Sequence, residues 1–118
     1  MLSFSGSLKV FVAVEPCDMR RSFDGLHNTV GTLLGEDPKC GALFAFTNKR
    51  RSLLKILYWD GSGLWVLAKR LERGTYQLPD AAPGTRQVVV DAAQLAMILE
   101  GIDLDARRRL RYRPHARA

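Results

Sequence analysis

The chain has 118 residues, 47% hydrophobic and 25% charged, with 18 Lys plus Arg against 12 Asp plus Glu. That length suits one domain able to bury roughly 65% of its unfolded surface without a disulfide or a metal, and the composition excludes wholesale disorder. No apolar run approaches the ~20 residues of a membrane span, and no basic-then-apolar leader opens the chain, so a cytoplasmic location is expected.

Residues 1–7 are small and polar without a period and read as a frayed terminus. Residues 8–14, LKVFVAV, alternate as a strand, and Pro16, which lacks an N–H, turns the chain after it. Asp18 is placed to cap a helix over residues 19–34, where Met19, Phe23, Leu26, Val30, Leu33 and Leu34 recur at three and four residues. Gly25 and Gly31 each weaken that helix by ~1 kcal/mol relative to Ala unless a neighbour needs the space. Gly35 ends it, and residues 42–47 form a second strand.

Asn48-Lys49-Arg50-Arg51-Ser52 is a polar connection into the longest strand pattern of the chain. Residues 53–59 and 64–71 are rich in Leu, Ile, Tyr, Trp and Val and flank Asp60-Gly61-Ser62-Gly63, which predicts a β-hairpin. Neither face of the hairpin is wholly polar, so it is expected to be central. Residues 75–78 and 87–90 read as short strands on either side of a Pro- and Gly-containing loop. Asp91 then caps a helix through Leu99, and Gly101 closes it. Beyond Asp103 the period fails, and six arginines surround only Leu110 and Tyr112 as large apolar side chains.

These elements predict an α+β class. The expected domain, residues 1–103, is a mainly antiparallel sheet of about five strands around the central hairpin, with two helices packed on it. Helix 19–34 covers the sheet, and helix 91–101 lies at an edge or on the same face. Residues 104–118 are expected as a basic, flexible tail that orders on binding.

Positive charge is segregated. Residues 47–73 hold seven cations and two acids, and residues 103–118 hold six arginines and two aspartates, whereas the remainder is net acidic. Such segregation points to a polyanionic partner. The candidate nucleic-acid-binding residues are Lys49, Arg50, Arg51, Lys69, Arg70 and Arg73, with Arg107, Arg108, Arg109, Arg111 and Arg113 of the tail. A solvated loop explains Lys49, Arg50 and Arg51 as well as phosphate contact does. Cross-strand pairing, with Glu72 as a mate, is the alternative for Lys69, Arg70 and Arg73. The tail arginines serve no core, which favours phosphate contact. Trp59 and Trp65 flank the turn and offer a stacking surface for bases, with burial as the stronger reading.

No catalytic constellation emerges. Asp18 and Asp91 are accounted for by capping and Asp60 by the turn, which leaves Asp24 and Glu72 too few for a two-metal centre. His27 and His115 lack partners for ligation or base chemistry. Cys17 and Cys40 have no metal-ligand spacing and fit a reducing compartment. The chain is read as a non-enzyme with no cofactor and no metal, and a metal-dependent nuclease is the remote alternative.

Five segments carry a resemblance. DMRRSFDGL at 18–26, LFAF at 43–46, KILYWDGSGL at 55–64, KRLERG at 69–74 and QLAMILEGID at 94–103 resemble, in order and spacing, the TnpB-type accessory protein of the IS66 family of bacterial insertion sequences. The resemblance spans about residues 8–103. It implies a small protein encoded beside a separate, larger transposase that carries the catalytic acids, with no established binding residues to transfer. The expected function is a DNA-binding accessory factor in transposition. The alternative is a protein-interaction adaptor that docks on the transposase or self-associates as a homo-oligomer.

Overall fold

The structure, a computed structural model, describes residues 8–101. Five strands, β1 (Val10–Ala13), β2 (Leu43–Thr47), β3 (Leu53–Trp59), β4 (Leu64–Arg70) and β5 (Gln87–Val90), form one sheet in the order β4-β3-β2-β1-β5. Every neighbouring pair is antiparallel except β1 with β2. This is the expected α+β class, but the β3–β4 hairpin is not central as expected: among the described residues β4 is the outer strand and β2 lies in the middle of the sheet. β1 and β2 are parallel because the helical segment between them carries the chain back over one face before β2 begins.

All residues of β1 and β2 are buried. Their uninterrupted apolar sequences follow from covering both faces rather than one. On one face Phe11, Phe44, Phe46 and Leu57 meet Leu26, Val30 and Leu34, with the Phe11 and Phe44 rings stacked at 5.3 Å. On the other face Val10, Val12, Leu43 and Ile56 meet Tyr76, Leu95 and Ile98. Each fully buried aliphatic or aromatic side chain contributes about 1.5–3 kcal/mol of transfer free energy.

The first helical segment is shorter than the apolar period predicts. It is α1 (Phe23–Thr29), followed by a wider π turn, Val30–Leu34, that ends at Gly35 with φ 67°. Asp18 does not cap it. The Asp18 carboxylate instead accepts from the Arg20 backbone N–H at 3.0 Å, and Arg21 N bonds to Asp18 O at 3.1 Å. These bonds close a local turn that competes with helix. The N-cap is Ser22, with no side-chain cap. Phe23, assigned to the apolar stripe, is 48% exposed.

The second helix, α2 (Ala92–Leu99), starts where the sequence places it: Asp91 Oδ1 accepts from Gln94 N at 2.7 Å, and Gln94 Oε1 accepts from Asp91 N at 3.0 Å. Its position corrects the expectation. Leu95 and Ile98 pack on the face opposite α1, neither at an edge nor on the same face. β4 and β5 occupy opposite edges of the sheet, so residues 71–86 must cross it, and they take the face that α1 leaves open. Residues 75–78 are part of that crossing and carry no strand, contrary to expectation. The fifth strand is β5. The proposed domain boundary at residue 103 lies outside the described residues.

Candidate nucleic-acid interface

Strand register gathers the described candidates at one end of the sheet. Thr47 pairs with Leu54, Leu54 with Lys69, and Leu53 with Arg70, so the β2–β3 turn lies beside the end of β4. Leu71 N bonds to Ser52 O at 2.9 Å, and Tyr76 N bonds to Arg51 O at 2.7 Å. Gly101, the last described residue, would place a Cβ 3.7 Å from the Leu71 side chain. The arginine-rich segment, including Arg107, Arg108, Arg109, Arg111 and Arg113, lies outside the described residues, and the chain leads into it from this end.

Asn48 organises the turn. Its Oδ1 accepts from Ser52 N at 2.9 Å and Leu53 N at 3.2 Å, and its O accepts from Arg51 N at 3.0 Å. That geometry holds Arg51 at φ 56°, the one positive φ outside glycine among the described residues. Lys49 and Arg50 stand exposed at the tip.

The cations are not equivalent. Lys69 Nζ donates to Leu99 O at 2.8 Å and lies 3.6 Å from Glu100. It closes the C-terminus of α2, where carbonyls lack helical partners and the helix dipole favours a cation. Its acidic mate is thus Glu100 rather than Glu72. Arg70, one residue on, points to the α1 side by strand alternation. Among the described residues the side chains of Lys49, Arg50, Arg51, Arg70 and Arg73 form no hydrogen bond or ion pair.

Three cations at this end were missed in the sequence. Cys17 N bonds to Thr47 O at 2.9 Å, which brings the Asp18–Arg21 turn beside the end of β2. Lys55 Nζ donates to Arg21 O at 2.8 Å. Arg21 Nη1 donates to Thr29 Oγ1 at 2.6 Å. Arg20 is neutralised by Asp18, whose carboxyl it holds far below the usual range. Counting charge along the chain assigned Arg20 and Arg21 to its acidic remainder, because the contact between positions 17 and 47 has no local signature. Burial raises the neighbouring Cys17 thiol, against a nucleophilic role.

The tryptophans do not share a surface. Trp59 faces the α1 side and Lys39 Nζ sits 4.8 Å from its ring centroid. Trp65 lies on the α2 side, 43% exposed, and donates its indole N–H to Asp60 Oδ2 at 2.8 Å. Among the described residues no group of three or more His, Cys, Asp or Glu is placed to hold a metal, and no helix is long and apolar enough to cross a membrane.

A family profile described as "IS66 Orf2 like protein" matches residues 8–109. Two proteins of Sinorhizobium fredii (strain NBRC 101917 / NGR234) align over 103 residues. Uncharacterized protein y4jC is 36% identical over 87% of this chain and 86% of its own length, and uncharacterized protein y4hO is 37% identical over 87% and 88%. No solved structure matches. A five-stranded α+β domain matched along most of its length by that profile belongs to the IS66 Orf2 like family, and thus to proteins associated with the transposition of insertion sequences.

Proposed function

We propose that this chain is a non-enzymatic, cytoplasmic accessory protein for transposition of a bacterial insertion sequence. It binds DNA through the basic end of its sheet and works beside a separate transposase. The observation that carries this reading is the convergence of Lys49, Arg50, Arg51, Arg70 and Arg73 at one sheet end with no partner among the described residues. Unpaired, solvated cations release counterions when they meet phosphates. Lys69 is the weakest member of the set, because α2 already uses its ammonium. The tail arginines, outside the described residues, are assigned phosphate contacts on the strength of their charge alone.

Fluorescence anisotropy across a salt series tests this, with one duplex carrying the element's terminal repeats and one scrambled duplex. Salt-sensitive binding is expected. Joint reversal of Arg50 and Arg51 to Glu should weaken it on both duplexes and flatten the log–log salt slope by ~1–2. Equal binding by wild type and variant overturns the assignment. The second reading, an adaptor that docks on the transposase or self-associates, is favoured by Trp65, exposed on an outer strand. A pull-down that survives high salt and nuclease would support it.

A further inference from the structure

Among the described residues β4 bonds to β3 alone and is the outer strand of the sheet. Proteins protect such an edge with a short strand, a proline, a bulge or inward charge. The opposite edge, β5, has four residues and runs directly into the cap of α2. β4 has seven residues in unbroken register with β3, no proline, and charge only at its last two positions.

The bonds Asp60 N to Gly63 O at 3.1 Å and Leu71 N to Ser52 O at 2.9 Å bracket the β3–β4 ladder. Bonded pairs alternate along an antiparallel ladder, so Trp65, Leu67 and Lys69 direct their backbone groups to β3. Leu64, Val66, Ala68 and Arg70 therefore direct theirs outward.

We propose that β4 pairs antiparallel with β4 of a second copy, about a two-fold axis at Leu67, joining the two sheets into one. This gives the self-associating reading its interface and is independent of DNA contact. Centring the register on Leu67 uses every outward group: Leu64 bonds opposite Arg70 of the second copy, and Val66 opposite its Ala68. Leu67 then faces its own copy in a close, non-bonded pair. The exposed indole of Trp65 meets the methylene stem of the second copy's Lys69, whose ammonium stays on Leu99 O.

Charge selects the direction. The hairpin carries Asp60 at its turn and Lys69, Arg70 and Arg73 at its open end. Antiparallel pairing sets each turn against the basic end of the other copy. Parallel pairing about a two-fold axis would instead bring the two basic ends together, which is unfavourable.

The test uses the full chain. Sedimentation should give twice the chain mass at micromolar concentration. With Cys17→Ser and Cys40→Ser as background, Leu67→Cys should form a disulfide dimer on mild oxidation, because a close antiparallel pair sets Cα atoms about 4.5 Å apart. Val66→Cys, whose own copies are offset, should link far more slowly. Val66→Pro removes an outward N–H while sparing the β3 ladder, and should give a monomer with an unchanged circular dichroism spectrum. A single-chain mass for the wild type overturns the proposal, as does equal cross-linking of the two cysteine variants. A single-chain mass with the amides of Leu64, Val66 and Ala68 protected from exchange assigns the edge to a segment of the same chain and also overturns it. A monomer that binds DNA refutes only this pairing, and a dimer that binds none refutes only the DNA reading.

Discussion

Tyr76 Oη donates to Lys69 O at 2.7 Å, and the Tyr76 backbone N–H donates to Arg51 O at the same distance. One residue, 1% exposed, thus fastens both described basic segments to the core beneath the sheet, one through its hydroxyl and the other through its backbone. Tyr76→Phe should lower stability by about 1 kcal/mol, the net value of one hydrogen bond. Tyr76→Ala should cost about 3–5 kcal/mol, since it also leaves a cavity. Denaturant unfolding measures both. Burial raises the Tyr76 pKa above its ordinary 10.0, so the unfolded phenol ionises first. Its contribution is full below pH 10 and is lost as the pH rises beyond it.

Gly25 and Gly31 should respond differently to alanine. A Cβ at Gly25 would lie 3.0 Å from Arg21 Cβ and 3.1 Å from its Cγ, in the path the arginine follows to Thr29. A Cβ at Gly31 meets nothing within 4 Å. Gly31→Ala should raise stability by roughly 0.5–1 kcal/mol. Gly25→Ala should fall short of that gain until Arg21→Ala is added, and a double-mutant cycle reads the coupling.

Asp60 and Trp65 form a pH-sensitive pair. Backbone donation from Ser62, then the Trp65 indole and Gly63 N–H, lower the Asp60 pKa to about 2. The stabilisation is present above the ordinary carboxylate value and is lost as the pH falls toward 2. The Trp65 indole proton resonance should therefore titrate with a midpoint near 2 in the wild type and lose that transition in Asp60→Ala.

Arg51 should trade stability for binding. Its φ of 56° costs a side-chain-bearing residue about 1 kcal/mol, and the extra chain entropy of glycine offsets only part of that. Arg51→Gly should raise the unfolding midpoint and lower duplex affinity together. A midpoint at or below wild type would refute the strain argument.

Local chemistry made much of the fold legible. The β3–β4 hairpin follows from apolar alternation around Asp60-Gly61-Ser62-Gly63, and the α2 cap from Asp91 and Gln94, because each element closes its hydrogen bonds within a few residues. The same kind of reading failed at Asp18. A carboxylate that bonds two residues ahead and one that caps a helix have the same local sequence, and the competition is decided by Cys17 pairing to Thr47.

The amino-acid sequence by itself determined the class, the hairpin, the second helix and the concentration of positive charge, since periodicity, capping and composition are local properties. Only the tertiary structure decided which cations are free. Lys69 and Arg70 are neighbours in the chain, yet strand alternation sends one to the carbonyl end of α2 and the other to the opposite face. It also decided that α2 lies opposite α1, because a chain leaving one sheet edge for the other must cover the remaining face. The edge of β4, open among the described residues, belongs to the same category: whether a strand has a second neighbour depends on the order of the sheet, which nothing in the strand itself records.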